Sequence, residues 1–153
     1  MAAPGSPDLP AAVLFACLSN AIRSPMAEGI LKHLMGHRIF VDSIGVRAGE
    51  PDPFAVAVMD EIGIDISRHR AKTFDDDLVD TSYDLIVTFA PEAHHKALEL
   101  TRTMAVDVEY WPTHDPSLAS GSREQIMDAY RAVRDGLMKR IKERFVLPMS
   151  PVV

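Results

Sequence analysis

The sequence predicts a three-layer α/β fold in which a four-stranded parallel sheet is flanked by helices on both faces. Short apolar runs of strand length alternate along the chain with segments of helical periodicity. Uniformly apolar runs are typical of strands buried on both faces, and alternation with helices is typical of parallel sheets. In such sheets ligands bind beyond the carboxyl ends of the strands, so residues that follow a strand are the first candidates for a site.

The individual elements follow from these patterns in chain order. Strands are predicted at residues 12–16, 39–44, 84–89 and 106–110, and helices at residues 25–35, 53–62, 91–100 and from 122 onward. Asp52-Pro53 is a typical helix start, and Gln125 three residues after Ser122 predicts a capping box. The last helix is expected to bury a face formed by Ile126, Tyr130, Val133, Leu137 and Ile141.

Composition limits the class of protein and its partners. The chain has 153 residues, 47% of them hydrophobic, which predicts one domain at residues 11–146, a disordered lead at 1–10 and a tail at 147–153. A net charge of −6 argues against nucleic acid or an anionic membrane as partner. One cysteine excludes an intrachain disulfide, and no apolar run reaches the roughly 18 residues of a membrane span. We therefore expect a cytoplasmic protein.

The only cysteine, Cys17, directly follows the first predicted strand. Five residues separate it from Arg23, and Ser24-Pro25 predicts the helix start, with Ser24 as the cap and Pro25 as the first helical residue. A loop that opens a helix points backbone N–H groups into one concavity, and the helix dipole adds positive potential. This arrangement suits a tetrahedral oxyanion such as phosphate.

Arg23 can add a planar fork that contacts two oxygens of such an anion. The same positive field favours the thiolate form of Cys17, and Ser24 is near enough in sequence to donate a hydrogen bond to it. We therefore expect a nucleophile facing a bound phosphoryl group, against the plainer interpretation of a buried strand-end cysteine and a surface arginine. The expected substrate contacts are Leu18, Ser19, Asn20, Ala21, Ile22 and Ser24.

Asp115 is the candidate for proton transfer. It follows the fourth predicted strand, again at a carboxyl end, and Pro116 stiffens the loop and favours an extended conformation at Asp115. A carboxylic acid held there can protonate a leaving oxygen and then act as base for a hydrolytic water. The sequence indicates no metal or other cofactor, since no carboxylate completes a site with its histidine pairs and its acidic run at residues 75–80 is typical of a solvated loop that caps a short helix.

At this point the chain resembles the low-molecular-weight protein-tyrosine-phosphatase family, which also contains thiol-dependent arsenate reductases. The resemblance rests on residues 13–28, 41–45, 63–71 and 83–88 and on Asp115-Pro116, and it runs in order over roughly residues 12–145. It implies a phosphocysteine intermediate at Cys17, phosphate binding by the loop and Arg23, and acid–base work by Asp115. It also implies an unusual backbone conformation at Asn20, with support from Ser24, Ser43 and His69.

The chain is closest in pattern to a single-cysteine, reductase-like branch, which residues 111–116 and 130–135 resemble, and it departs from the family pattern in three ways. Phosphatases of this family commonly carry a second cysteine just before the arginine, where this chain has Ile22. Thioredoxin-coupled reductases carry two further cysteines in the segment that matches residues 89–97, where this chain has none. Tyrosine phosphatases often place aromatic residues after the Asp-Pro pair, where this chain has Ser117, Leu118, Ala119 and Ser120.

The sequence therefore predicts a cysteine-dependent phosphomonoester hydrolase that acts on a phosphotyrosine protein or a small aryl phosphate. One alternative is an arsenate reductase that uses an external thiol on a Cys17–arsenic adduct. A second alternative, from a different class, is a non-catalytic module that binds phosphoproteins or oxyanions. Inorganic phosphate or arsenate is an expected ligand in all three cases.

Overall fold

The computed structural model describes residues 9–77 and 82–146, which form the predicted α/β fold. Within them a sheet of four parallel strands has the order β2-β1-β3-β4. The strands are β1 (Ala12–Cys17), β2 (Phe40–Gly45), β3 (Leu85–Thr88) and β4 (Asp107–Tyr110). The helices are α1 (Arg23–Met35), α2 (Pro53–Asp60), α3 (Phe74–Asp77), α4 (Pro91–Leu100) and α5 (Arg123–Ile141). The fold-class prediction is confirmed, whereas the predicted tail and most of the predicted lead lie outside the described residues.

β1 occupies the middle of the sheet and divides the core into two layers. Val13, Phe15 and Cys17 point to the layer that α1, α2 and α5 cover, while Leu14 and Ala16 point to the layer that α3 and α4 cover. All six residues of β1 are buried, as its uniformly apolar sequence predicts. No helix in the described part of the chain is long and apolar enough to cross a membrane.

The strand order brings the predicted site residues to one edge of the sheet. From β1 the chain passes to β2 on one side, and it later returns to β3 on the other, so the order reverses between β1 and β3. Ligands of open parallel sheets bind at this reversal, beyond the carboxyl ends of the strands. Cys17 ends β1 there, and the loop after β4 brings Asp115 to the same edge.

The prediction for the start of α1 is wrong by two residues. The helix begins at Arg23, with Ile22 as its N-cap residue and without a side-chain cap, and Pro25 is the third helical residue. Proline is tolerated there because the first four N–H groups of a helix have no intrahelical partner. Ser24 does not cap the helix, since its fully buried hydroxyl is turned toward Cys17 and Ile44.

The other predicted helix signals are present. Asp52 caps α2 by accepting hydrogen bonds from the N–H groups of Phe54 and Ala55, and Ser122 and Gln125 form the predicted capping box of α5. Beyond α2 the chain reverses at Gly63, whose φ of +77° lies in the left-handed region that favours glycine. The chain thereby returns toward the sheet within three residues of the helix end.

A charged cluster joins α2 to α5. Arg134, only 8% exposed, donates hydrogen bonds to Glu61 and to the Val58 carbonyl, and Arg131 donates to both oxygens of Glu61. The α5 periodicity correctly predicts the buried Tyr130, Val133, Leu137 and Ile141, but Ile126 is only partly buried and the buried Arg134 is not predicted. An arginine is accommodated on this face because Glu61 and a main-chain carbonyl satisfy its donors.

Glu61→Gln is expected to weaken the protein most above pH 5. Hydrogen bonds from Arg131 and Arg134 lower the pKa of Glu61 to about 2. A lowered carboxyl pKa contributes stability that is present above the unfolded value near 4.5 and is lost as the pH falls toward 2. Thermal unfolding between pH 2 and 7 should give a lower midpoint temperature for the variant than for the wild type at pH 7. The midpoint of the variant should also fall less steeply as the pH is lowered. Glu99→Gln, at an exposed position of α4, is the control, and parallel curves for the wild type and Glu61→Gln would contradict the assignment.

Candidate active site

Cys17 lies at the end of β1 with its thiol almost out of contact with bulk solvent, at 2% exposure. Its Sγ atom is 2.9 Å from the hydroxyl oxygen of Ser24. Asn20 donates its side-chain N–H to that same oxygen at 2.9 Å, so the single hydroxyl proton of Ser24 can go either to the sulfur or to the Ile44 carbonyl oxygen, which lies 3.3 Å away. When Cys17 is a thiolate, Ser24 is the donor of this pair, and a charge-assisted hydrogen bond stabilises the anion.

The loop after Cys17 offers a set of unused donors. Within residues 9–77 and 82–146, the backbone N–H groups of residues 18–22 donate no hydrogen bond to the chain. Buried or half-buried amides without partners are rare in folded proteins, and anions commonly occupy such concave sets. The loop opens α1, so the positive end of the helix dipole adds to the same potential. The loop has the properties of an oxyanion cradle.

Arg23 bridges this cradle and the loop that follows β4. Its Nη1 atom donates to the Thr113 carbonyl at 2.9 Å and, more weakly, to the Phe89 carbonyl at 3.5 Å. Its Nη2 atom lies 4.0 Å from Asp115 Oδ2, too far for a hydrogen bond. One edge of the guanidinium is therefore anchored on main-chain carbonyls, while the other edge faces the space between Cys17 and Asp115.

Asp115 presents one carboxylate oxygen to that space. Its Oδ1 atom accepts hydrogen bonds from the backbone N–H of Ser117 at 2.9 Å and from the Ser117 hydroxyl at 2.7 Å. Its Oδ2 atom is the oxygen turned toward Arg23. Because Ser117 holds the orientation, Oδ2 can carry a proton to a group bound at the cradle.

Asn20 supports the loop from behind. It is fully buried and has a φ of +52°, in the left-handed region that asparagine adopts more readily than most residues. Its side-chain nitrogen donates to Ser24 and, at 2.9 Å, to Ser43, while its side-chain oxygen accepts from the Lys72 backbone N–H at 2.9 Å. The nitrogen thus meets two hydroxyl groups that lie on different elements, α1 and β2.

His69 completes this support on the side away from Cys17. Its Nε2 atom lies 3.1 Å from the Asn20 carbonyl oxygen and 3.0 Å from the Asn20 side-chain oxygen, so Nε2 carries the proton and donates. Its Nδ1 atom is 3.7 Å from Glu28, whose carboxylate already accepts from Ser43 and Lys32. Burial lowers the pKa of His69, although the Glu28 charge opposes the shift. The stability contributed by neutral His69 is present above pH 6.5 and is lost as the pH falls.

Asn20→Ala is expected to weaken phosphate binding without unfolding the protein. Alanine removes both donor contacts and the acceptor for Lys72, and it also disfavours a positive φ by roughly 1 kcal/mol. Asn20→Gly is the matched variant, because glycine accepts the positive φ but lacks the same hydrogen bonds. Equal losses of phosphate affinity by calorimetry would assign the effect to the hydrogen bonds, and a larger loss in the alanine variant would add a conformational part. Wild-type affinity in both variants would contradict a supporting role for Asn20.

These side chains surround a cleft of about 190 Å³ lined by Cys17, Ser19, Ala21, Ile22, Arg23, Gly49, Glu50, Asp52, Asp115 and Ser117. Of the predicted residues, Ser43 and His69 lie behind the loop and do not line the cleft. The Asn20 side chain also points behind the loop, and neither Leu18 nor Ser24 is among the residues that line the cleft.

Sequence reasoning missed the wall formed by residues 49–52. Asp52 is predicted only as a helix start, yet it also lines the cleft and accepts a hydrogen bond from the buried Tyr130 hydroxyl at 2.8 Å. Burial, followed by the Asp52 and Asp115 carboxylates, raises the pKa of Tyr130, so its hydroxyl stays protonated and donates. The Asp-Pro dipeptide shared with Asp115 was the available signal.

Aromatic residues are absent from the described lining of this cleft. Trp111 is 3% exposed and packs against Phe15, Phe89 and Phe145 in the core, and Tyr110 stacks on His94. A larger apolar groove of about 400 Å³ lies between Trp111 and α5, and neither Cys17 nor Asp115 is among its described lining residues. Within the described residues, no three histidine, cysteine, aspartate or glutamate side chains converge on a possible metal position.

The fold and the cleft together define a class of protein: an α/β domain in which the first strand ends at a thiol and leads, through a loop of unbonded amides, into a helix. Residues 12–145 match the model of the low molecular weight phosphotyrosine protein phosphatase family. The chain therefore belongs to this family, as the sequence resemblance predicts.

Relatives of known name include arsenate reductases. The chain is 37% identical over 131 residues to the arsenate reductase of Bacillus subtilis (strain 168), covering 86% of this chain and 92% of that one. It is also 37% identical over 130 residues to the arsenate reductase of Halalkalibacterium halodurans, with coverages of 85% and 91%.

Solved structures of arsenate reductases and of tyrosine phosphatases have the same fold as this chain. An arsenate reductase in the phosphate binding state has a TM-score of 0.68 at 29% identity, covering 91% of this chain and 98% of that chain. The low molecular weight protein tyrosine phosphatase from T. tengcongensis has a TM-score of 0.71 at 29% identity, covering 87% and 96%. The comparisons thus support an enzyme family with oxyanion ligands, and they contain both phosphatases and reductases.

Proposed function

We propose that this protein is a cysteine-dependent phosphomonoester hydrolase that works through a phosphocysteine intermediate. The observation that carries the proposal is the convergence of Cys17, Arg23 and Asp115 on one small cleft beside five unbonded loop amides. Each part has a role in phosphoryl transfer. The substrate class is a phosphotyrosine protein or a small aryl phosphate, and the location is the cytoplasm.

The first half-reaction transfers the phosphoryl group to sulfur. The Cys17 thiolate attacks phosphorus, so an S–P bond forms while the P–O bond to the leaving group breaks. The loop amides of residues 18–22 and the free edge of Arg23 stabilise the charge on the three non-bridging oxygens. The proton on Asp115 Oδ2 passes to the leaving oxygen, which departs as an alcohol or phenol.

The second half-reaction releases phosphate. Asp115, now ionised, takes a proton from a water molecule that attacks phosphorus. A P–O bond forms, the S–P bond breaks, and the electron pair returns to Cys17 as the thiolate. Ser24, which donates toward the sulfur, stabilises this leaving thiolate as it stabilises the nucleophile in the first step.

Arsenate reduction with an external thiol is a second candidate, favoured by the identity to relatives named arsenate reductases. Cys17 would displace water from arsenate to form an S–As(V) bond. A free thiol would then attack the Cys17 sulfur, giving a mixed disulfide while As(V) takes two electrons and leaves as arsenite. A second thiol would regenerate Cys17. The external thiol is required because this chain has one cysteine and cannot form an internal disulfide.

One preparation of the wild-type protein distinguishes these candidates. Hydrolysis of p-nitrophenyl phosphate and arsenate reduction in the presence of glutathione or mycothiol should be measured in parallel. The proposal expects efficient ester hydrolysis with no thiol requirement and a much lower kcat/KM for arsenate. Efficient thiol-dependent reduction with weak hydrolysis would assign the second candidate. Phosphate binding with neither activity would identify a non-catalytic oxyanion-binding module.

A further inference from the structure

One wall of the cleft is held against the oxyanion loop by its backbone. The N–H groups of Val46, Arg47 and Gly49 donate to the carbonyls of Cys17, Leu18 and Ser19 at 3.1, 2.9 and 2.7 Å. The segment that follows β2 therefore runs beside the loop like an additional strand. Its position is defined by main-chain hydrogen bonds, which hold regardless of the side chains that it carries.

Gly49 lets this wall approach closely. A Cβ atom at Gly49 would lie 2.8 Å from the Ser19 Cβ and 3.2 Å from the Ser19 carbonyl oxygen, so a larger residue would push the wall away from the loop. The next residue, Glu50, consequently lies at the rim of the cleft within the lining set. Its position depends on the tight contact between Gly49 and Ser19.

Glu50 differs from the other two carboxylates of the cleft in having no partner within the part of the chain that the structure describes. Asp52 uses Oδ1 to accept from two α2 amides and Oδ2 to accept from Tyr130, and Asp115 is oriented by Ser117. Glu50 is exposed and forms no hydrogen bond or ion pair with any residue in the described ranges. The cleft entrance therefore has a negative charge that the folded chain does not neutralise.

The chemistry of this entrance favours one kind of substrate flank. An aromatic ring of the substrate beside the phosphate would have no aromatic side chain to pack against. The described lining of the cleft consists of polar side chains and of small or aliphatic ones. The Glu50 carboxylate attracts a positively charged substrate group beside the phosphate and repels an acidic one. Arg23, the cation of the lining set, faces the phosphoryl position and is not placed to neutralise Glu50.

We propose that Glu50 makes this cleft selective for phosphopeptides that carry lysine or arginine next to the phosphorylated residue. This inference rests on the proposed hydrolase function and specifies its substrate class. An exposed ion pair changes kcat/KM by roughly two- to fivefold, and salt screens it. The selectivity is therefore a modest preference that strengthens at low ionic strength.

The test uses three phosphotyrosine peptides of equal length that differ only in the flanking residue, which is lysine, alanine or glutamate. The kcat/KM values of the wild type, Glu50→Gln, Glu50→Lys and the distant control Glu99→Gln should be measured at low and high salt. The expected wild-type order is lysine, then alanine, then glutamate, at a lysine-to-glutamate ratio of roughly 4 to 25, since the two flanks act in opposite directions. Glu50→Gln should bring this ratio toward one, and Glu50→Lys should invert it.

Hydrolysis of p-nitrophenyl phosphate by the wild type tests the hydrolase function separately from the role of Glu50. Absence of this hydrolysis would overturn the proposed function itself. Hydrolysis with no flank preference, or with a preference that Glu50→Gln leaves at its wild-type size, would overturn only the role of Glu50. A preference that survives in Glu99→Gln, disappears in Glu50→Gln and weakens with salt would support it.

Discussion

Replacing Cys17 by serine is expected to abolish turnover while phosphate or vanadate binding persists. A serine hydroxyl is a far weaker nucleophile than a thiolate, so the rate should fall by roughly 10⁴-fold or more, the scale for loss of a covalent nucleophile. The loop amides of residues 18–22 and Arg23 remain in place, and these groups bind the anion. Steady-state hydrolysis and phosphate calorimetry on both proteins would measure the two effects separately.

Trapping the intermediate makes the same test more direct. Rapid denaturation at alkaline pH during turnover of a radiolabelled phosphate ester should leave label on the wild-type protein in an alkali-stable, acid-labile form, and none on a Cys17→Ala variant. The alanine variant is the stricter control here, because a serine could itself accept a phosphoryl group and hold it. Equal hydrolysis by the wild type and Cys17→Ser would contradict the mechanism.

Replacing Asp115 by asparagine is expected to lower kcat by roughly 10²-fold or more on esters with poor leaving groups, the usual scale for general acid–base catalysis. The loss should shrink as the leaving group becomes more acidic, because an activated phenol departs without a proton. Asparagine keeps the shape of the side chain and can still accept from Ser117, so the loop should stay in position. A series of aryl and alkyl phosphates would measure this dependence.

Asp52→Asn is the matched control, since Asp52 is a second carboxylate of the same cleft with a different role. Its oxygens cap α2 and accept from Tyr130, and asparagine retains part of the capping ability. Asp52→Asn should change kcat by a similar factor for all the esters of the series. A uniform loss in Asp115→Asn, or a leaving-group dependence of equal size in Asp52→Asn, would rule out Asp115 as the specific acid.

The alternation of strands and helices was predictable because it depends on local patterns. The uniformly apolar β1, the Asp52 and Ser122 caps and the reversal at Gly63 each follow from residues within a few positions of one another. The candidate site could be located for a related reason. Residues that follow parallel strands must meet at the same edge of the sheet, so Cys17 after β1 and Asp115 after β4 come together once the fold class is known.

Contacts between distant segments could not be predicted in this way. Ser24 resembles a helix cap by its position, but its hydroxyl accepts from Asn20 and contacts the Cys17 sulfur, and α1 begins two residues earlier than predicted. In the sequence Arg134 interrupts the apolar face of α5, but in the structure its guanidinium donates a hydrogen bond to Glu61, which lies 73 residues away along the chain.

The sequence by itself thus determined the order of the elements, the edge of the sheet that holds the cleft and the thiol that faces it. Only the tertiary structure decided which groups share a hydrogen-bond partner: Thr113 anchors Arg23, Tyr130 holds Asp52, and Glu50 at the rim has no partner among the described residues. The physical reason is that capping and periodicity act within a few residues. A buried hydrogen bond instead depends on where the packed core brings two segments together.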